Sequence, residues 1–185
     1  ADSNVAVTLD RALKSGADLL VMVAKPMEGG QIVQSLSKRE TPIPVVAHWG
    51  ITGGDFYKDY RAALAKVDLT FFQTYSFLER PNQHAQRLGK RYVERYGLDS
   101  LRQIKAPVPV VHTYDAVRLL ALAIEQAGST ERSAVRDALE QLPPYQGAIK
   151  SYAPAFTSTK HDALGEEDYR MARFAEDGAI VPVKR

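Results

Sequence analysis

The order of the secondary-structure patterns constrains the fold of this 185-residue chain more than any single motif does. Up to residue 75, helical and strand patterns alternate, which is typical of a parallel α/β sheet. Three helical patterns then follow one another without a strand between them, at residues 82–96, 110–126 and 131–141. Amphipathic helices need a sheet or other helices to cover their apolar faces. We therefore predict that a sheet outside this chain, or a partner chain, covers these three helices.

The first 75 residues predict three strands joined by helices. The strands are expected at residues 18–24, 44–47 and 69–75. The helices are expected at residues 5–15, 28–39 and 56–65. The run at 18–24 is continuously apolar, which is typical of a strand buried on both faces of a parallel sheet. Near the end of the chain, Glu176-Asp177-Gly178 predicts the turn of a hairpin between residues 169–174 and 179–183.

The pattern at residues 110–126 is the clearest helix of the middle region. Its periodicity places Val117, Leu120, Ala121 and Ile124 on the inward face. If the chain stands alone, we expect the inner faces of these helices to be exposed around Leu119, Leu120 and Leu139. An exposed apolar face of this size favours dimerisation or domain swapping, with a second copy as the partner.

The composition excludes several classes of protein. The chain has no Cys, which rules out disulfides, iron–sulfur clusters and thiolate zinc sites. Its formal net charge of +2 gives no argument for nucleic acid as a partner. No apolar run approaches the ~20 residues of a membrane span, and the first ten residues do not resemble a signal peptide. If the protein is exported, we expect its targeting segment to lie upstream or to have been removed.

The sequence carries no constellation that is typical of catalysis. The glycine-rich stretches at residues 28–30 and 50–54 match neither a dinucleotide fingerprint nor a phosphate loop. The four histidines are too far apart in sequence to suggest a metal site. The acidic run Glu166-Glu167-Asp168 lies in a polar segment where solvation explains it. We therefore predict a binding protein and not an enzyme, with no metal and no cofactor.

Four stretches of the chain carry a resemblance through their order and spacing. They are residues 16–33, 44–51, 112–124 and 145–164, and together they cover nearly the whole chain. The third contains Tyr114-Asp115-Ala116, at the start of a long apolar helical pattern. In these features the chain is similar to the C-terminal half of the branched-chain amino acid (Leu/Ile/Val-binding) type of periplasmic substrate-binding proteins of ABC importers.

The resemblance implies pieces of both lobes of a type I periplasmic-binding-protein fold, in which parallel sheets are sandwiched by helices. Residues 1–75 would form a βαβ portion of the second lobe, and residues 76–147 helices of the first lobe. Residues 148–185 would return to the second lobe and end in the hairpin. The N-terminal half of the fold would lie outside this chain. This half, or a second copy, would supply the sheet that the middle helices need.

The resemblance also implies a function. Proteins of this type close two lobes on a small ligand by a hinge motion and then dock on a membrane permease. The chain would then be part of a periplasmic solute-binding protein that serves import by an ABC transporter. Three alternatives stay open: the ligand-binding domain of a sensor or receptor, an α/β enzyme, and a fragment without a function of its own.

The resemblance points to Lys25 and Trp49 as ligand contacts. Lys25 falls where the family usually has a ring-bearing residue, and Trp49 falls where it usually has the acid that binds an ammonium group. A cation and an indole ring instead suit an anionic ligand, which can be aromatic, through charge-assisted hydrogen bonds and stacking. We therefore expect a carboxylate or an amino-acid-like ligand.

Four further residues are candidates for the ligand site because they follow predicted strands or open a helix. They are Met27, His48, Tyr75 and His112. Open α/β sheets bind ligands at the carboxyl ends of their strands, which is where Trp49 and His48 are expected. The alternative for each residue is a structural role: core packing for Met27 and Trp49, a solvated loop for Lys25 and hinge packing for Tyr75.

Overall fold

A computed structural model of the chain describes residues 2–79 and 81–183, and its contacts divide them into two units. Unit 1 contains residues 2–73, 102–106 and 170–183, and unit 2 contains residues 74–101 and 107–169. The helices are α1 (Asp2–Lys14), α2 (Pro26–Ser37), α3 (Phe56–Leu64), α4 (Gln83–Tyr96), α5 (Pro107–Ala127) and α6 (Arg132–Leu139). The strands are β1 (Leu20–Met22), β2 (Val45–His48), β3 (Leu69–Gln73), β4 (Tyr145–Gln146), β5 (Ser151–Tyr152), β6 (Arg170–Phe174) and β7 (Ile180–Pro182).

Unit 1 is built on a five-stranded sheet in the order β1-β2-β3-β6-β7. Strands β1, β2 and β3 are parallel, while β6 and β7 are added antiparallel. The predicted hairpin is confirmed, and Gly178 adopts a φ of 82° in its turn, a conformation that favours glycine. Because the first three strands are parallel, the loops that follow them leave the sheet along one side, which we call the carboxyl edge.

The core of unit 1 lies on one face of this sheet. Side chains alternate between the two faces of a strand, and the buried ones of β1, β2 and β3 belong to one cluster with residues of α1, α2 and α3. Members of this cluster include Leu9, Val33, Leu36, Phe56, Met22, Ala47 and Phe71. The three helices therefore cover the same face.

The opposite face of β1 is open. Val21 is 68% exposed and Val23 is 79% exposed, although both belong to the continuous apolar run. The prediction that residues 18–24 form a strand buried on both faces is therefore wrong for this chain. The physical reason is that β1 is the outermost strand of the sheet and that the helices all pack on the other side.

Unit 2 contains the three consecutive helices and the short β4–β5 pair. Helix α4 begins where the Asn82 side chain accepts a hydrogen bond from the backbone N–H of Ala85, and it ends at Gly97 in the left-handed conformation. Helices α5 and α6 pack together around Leu119, Ala123 and other buried apolar residues. All three predicted helices are present, with boundaries shifted by at most three residues.

The buried face of α5 differs from the predicted one. Val117 is 58% exposed and Leu120 is 45% exposed, whereas Leu119 is almost fully buried. The buried stripe instead runs through Val111, Asp115, Leu119 and Ala123. The exposure expected for a chain without its covering sheet is therefore confirmed at Leu120. It is wrong at Leu119, because Leu119 packs in the cluster between α5 and α6.

Asp115 holds the segment after α6 against α5. Its carboxylate accepts hydrogen bonds from the backbone N–H groups of Ala148 and Ile149, at 2.7 and 2.9 Å, and from the Tyr152 hydroxyl at 2.9 Å. Burial and the nearby carboxylate raise the pKa of Tyr152 above its usual value, so the hydroxyl stays a donor. These contacts place residues 148–169 in unit 2. Which lobe of a complete protein each segment belongs to stays a prediction.

Among the described residues, one helix is long and apolar enough to cross a membrane, judged by length and composition only, and this helix is α5. The sequence had led us to expect no apolar run of this length. Its buried stripe packs on α6 and on the segment around Tyr152. The opposite side of the helix, with Val117 and Leu120, is exposed.

Candidate functional site

The carboxyl edge of unit 1 brings four of the six predicted site residues to neighbouring strand ends. Lys25 and Met27 follow β1, and His48 and Trp49 lie at the end of β2. The two strands pair directly, with Met22 opposite Ala47. Beyond the pairing, the Ala24 carbonyl lies 3.4 Å from the position that a Cβ on Gly50 would occupy. The two loops are therefore in contact.

Lys25 lies at the start of helix α2 with its side chain exposed. It is the N-cap residue in an extended conformation, and Pro26 occupies the first helical position. The ammonium group makes no ion pair with the described residues. Met27, in the first turn of α2, is 60% exposed. This strand end therefore presents a free cation beside an apolar side chain.

His48 and Trp49 form a fixed aromatic pair. Their ring centroids are 4.4 Å apart, and Phe72 of β3 meets the imidazole edge-on at 5.2 Å. The His48 Nδ1 accepts a hydrogen bond from the backbone N–H of Gly50 at 3.0 Å, which leaves the proton of the neutral ring on Nε2. Burial lowers the pKa of His48 below its usual value, which favours this neutral form.

A short helical turn, Trp49–Thr52, holds the indole in place. The Thr52 hydroxyl donates to the Trp49 carbonyl at 2.8 Å, and Ile51 beneath it is fully buried. The indole is partly buried against the core of unit 1. The packing role considered from the sequence therefore applies to Trp49 in part, while ligand contact stays a prediction.

Two polar side chains at this edge were missed by the sequence reasoning. Gln73, the last residue of β3, is 1% exposed, and neither atom of its amide group has a hydrogen-bond partner among the described residues. The Oε2 atom of Glu28, in the first turn of α2, is also buried without such a partner. Helix α2 and strand β3 both contact the Trp49–Thr52 turn. The sequence signal was weak: an acid beside a helix start and an amide at a strand end.

The other two predicted site residues, Tyr75 and His112, lie in unit 2. The His112 Nε2 is 2.7 Å from the Thr74 hydroxyl, and burial lowers its pKa, against the opposing effect of Asp115. Tyr75 is buried, and its ring packs edge-on against Phe77 at 5.0 Å. The structure therefore brings Tyr75 and His112 into one unit and the other four residues into the other. Ligand contact by any of the six stays a prediction.

The carboxyl edge of unit 1 has the chemistry of a binding site. An exposed ammonium group can pair with an anion, an indole can stack on a planar group, and a neutral imidazole can donate one hydrogen bond from Nε2. Together these groups suit a small ligand that has a carboxylate and a flat or apolar body.

Comparison with known proteins gives one family. A family model described as periplasmic binding protein matches residues 1–179. Among solved structures, a type 1 periplasmic binding protein from Bordetella pertussis Tohama I matches with a TM-score of 0.79 and 19% identity over 95% of this chain. A leucine-binding protein from Thermotoga maritima MSB8 matches with a TM-score of 0.74 and 18% identity over 98%. A solute-binding protein of an R. palustris ABC transporter, in complex with benzoate, matches with a TM-score of 0.69 and 15% identity over 96%.

The chain spans about half the length of these solved structures: 48%, 48% and 45%, respectively. No curated protein sequence matches it. At these identities the structural matches establish the fold, which is the predicted type I periplasmic-binding-protein fold in partial form.

Proposed function

Because the chain belongs to the periplasmic binding protein family, we propose that it is part of an extracytoplasmic solute-binding protein that captures a small carboxylate or amino-acid-like ligand for an ABC importer. The family and the matched structures are binding proteins and not enzymes. The lobe assignment from the sequence belongs to the same proposal: a missing N-terminal half completes both lobes.

The observation that carries this proposal is the contact between the loops after β1 and β2. It places the exposed Lys25 and the His48–Trp49 pair along one edge of a parallel sheet. Ligands of open α/β sheets bind at this edge. Ligand contact by Tyr75 and His112, which lie in unit 2, is part of the same proposal and comes from the sequence alone.

The ligand class follows from charge. Lys25 makes no ion pair with the described residues, so a ligand carboxylate meets an available cation. Of the matched proteins, one is described as leucine-binding and another holds benzoate. Both of those ligands carry a carboxylate on an apolar body. The proposal therefore places benzoate-like acids and apolar amino acids first among candidate ligands.

The experiment is a thermal-shift screen of the complete polypeptide, including the N-terminal half that the fold requires. One panel holds aliphatic amino acids and the other holds benzoate and related carboxylates. A ligand that binds only the folded state raises the melting temperature. At a ligand concentration of 100 times Kd, the free energy of unfolding increases by about 2.7 kcal/mol. We expect Lys25→Ala and Trp49→Ala to abolish the increase.

Lys38 offers a matched control, because it lies at the opposite end of α2 and is exposed. Lys38→Ala should leave the ligand-induced shift unchanged. A shift that persists in Lys25→Ala and Trp49→Ala would contradict the site assignment and leave the family function standing. The absence of a shift with both panels would contradict the proposed ligand class.

A further inference from the structure

Unit 1 contains a cavity of about 470 Å³ on the side of the sheet opposite to the carboxyl edge. Its lining comes from helix α3, from the start of β3 and from the end of β6. Because β6 runs antiparallel to β3, the last residue of one strand lies beside the first residue of the other. The volume falls in the usual range of ~300–1,000 Å³ for small-molecule sites.

Apolar side chains form one part of the cavity lining. Leu64, Val67 and Leu69 line it, together with the rings of Tyr57 and Phe174. The two rings lie with their centroids 5.5 Å apart. Tyr57, Arg61 and Leu64 are spaced i, i+4 and i+7 on α3, so they share one face of the helix. A ligand with a flat or branched apolar body can therefore bury it here.

The wall formed by Tyr57 is held in place before any ligand binds. The Tyr57 hydroxyl donates to the Glu176 backbone carbonyl at 2.7 Å. A Cβ on Gly178 would lie 2.6 Å from Cδ1 of the Tyr57 ring, so the β6–β7 turn contacts this ring closely. The Asp177 carboxylate of that turn accepts from the Ala179 N–H at 3.1 Å and pairs with Arg102 at 2.8 Å. A wall fixed in this way reduces the entropic cost of binding.

The charged groups of the cavity are Arg61 and Glu176. Both side chains are exposed, and neither forms an ion pair within the described part of the chain. A planar guanidinium binds a carboxylate through two parallel hydrogen bonds. A carboxylate such as Glu176 repels a second anionic group on a ligand. The charges therefore favour a ligand with one carboxylate over a dicarboxylate.

We propose that this cavity is a second small-molecule site, separate from the carboxyl edge, for a monocarboxylate with an aromatic or branched apolar body. The apolar body lies against Leu64, Leu69 and Phe174, and the carboxylate pairs with Arg61. The site lies entirely within unit 1 and does not depend on the function proposed for the carboxyl edge.

The test is a titration of the 185-residue chain with 4-fluorobenzoate, followed by ¹⁹F NMR and by nuclear Overhauser contacts from the ring protons. We expect contacts to the methyl groups of Leu64, Val67 and Leu69. Arg61→Gln should weaken binding about tenfold or more, because a charge-assisted hydrogen-bond pair is lost. Lys58→Gln is the matched control, since Lys58 is an exposed cation on α3 outside the cavity lining, and it should leave the affinity unchanged.

Two further variants separate this site from the carboxyl edge. Binding at the cavity should persist in the double variant Lys25→Ala, Trp49→Ala. Leu64→Trp places a larger ring in the cavity and should abolish the methyl contacts. The proposal is overturned if 4-fluorobenzoate shows no contact to these methyl groups, if Arg61→Gln binds as tightly as the unchanged chain, or if the double variant loses the contacts.

Discussion

Two buried polar side chains, one in each unit, have opposite surroundings. Asp115 in unit 2 is 2% exposed, and its carboxylate accepts three hydrogen bonds. Gln73 in unit 1 is 1% exposed, and its amide has no partner among the described residues. A buried polar group is stabilising only when it is paired, and it costs free energy when it is not. The difference indicates that Asp115 serves the fold, whereas Gln73 weakens it at the edge where the ligand is proposed to bind.

The largest effect is expected for Asp115→Leu. The substitution leaves the N–H groups of Ala148 and Ile149 and the Tyr152 hydroxyl buried without their acceptor. Leaving a buried donor without its acceptor costs about 1–3 kcal/mol, so the loss of these bonds together should lower the unfolding free energy by about 3 kcal/mol or more. Urea unfolding of the chain would measure this loss. Asp137→Asn is the control, because that carboxylate is exposed on α6 and should change the unfolding free energy by less than about 0.5 kcal/mol. A small loss of unfolding free energy in Asp115→Leu would show that the hydrogen bonds of Asp115 do not stabilise the fold as proposed.

The second effect concerns Gly147, which lies against the same carboxylate. A Cβ at this position would lie 2.5 Å from Asp115 Oδ2 and 2.6 Å from the Tyr152 ring. Gly147→Ala should therefore lower the unfolding free energy by about 1–3 kcal/mol through overpacking. Gly53→Ala, where the nearest atom is 3.4 Å away, should be nearly neutral. Equal midpoints of urea unfolding for the two variants would contradict a tight cluster around Asp115.

The third prediction concerns unit 1, where replacing a buried polar side chain should raise the free energy of unfolding instead of lowering it. Gln73→Met keeps the size of the side chain and removes two buried polar atoms that have no partner. The unfolding free energy should rise by about 1–2 kcal/mol, because the desolvation cost of an unpaired amide disappears. Gln83→Met, at an exposed position of α4, serves as the control for the amino-acid change itself. A melting temperature that falls in Gln73→Met would show that the amide has a stabilising partner.

The smallest effect concerns pH. Burial lowers the pKa of His112 below its usual value of 6.5, so the unfolded chain binds a proton at a higher pH than the folded chain does. The contribution of this residue to stability is therefore present above pH 6.5 and is lost as the pH falls towards the folded pKa. His112→Gln should reduce the loss of unfolding free energy between pH 7.5 and pH 5.5. An unchanged pH dependence would show that His112 titrates as it does in the unfolded chain.

Local chemistry accounts for the parts of the fold that the sequence predicted. The turn at Glu176-Asp177-Gly178, the helix over residues 82–96 and the alternation of the first 75 residues each follow from patterns of neighbouring residues. The buried face of α5 did not follow in this way. Periodicity favours the apolar side of a helix, whereas the stripe through Asp115 is buried because distant backbone N–H groups at Ala148 and Ile149 bind it.

The candidate site shows the same contrast between features that the sequence reveals and features that depend on contacts in the fold. Lys25 and Trp49 were proposed from the resemblance to the family, and His48 because it follows a strand pattern, which can be read from the sequence. Glu28 and Gln73 were missed because their isolation depends on which groups surround them in the fold. The openness of β1 also depends on the sheet order, which the apolar run at residues 18–24 does not encode.

Trp49 is the only tryptophan of the 185 residues. All indole fluorescence of this chain therefore comes from one place, the carboxyl edge beside His48. A change in that emission reports on this edge alone, without engineered labels. A ligand that binds only in the cavity beside Arg61 should leave the emission unchanged. Tryptophan fluorescence therefore distinguishes binding at the two proposed sites.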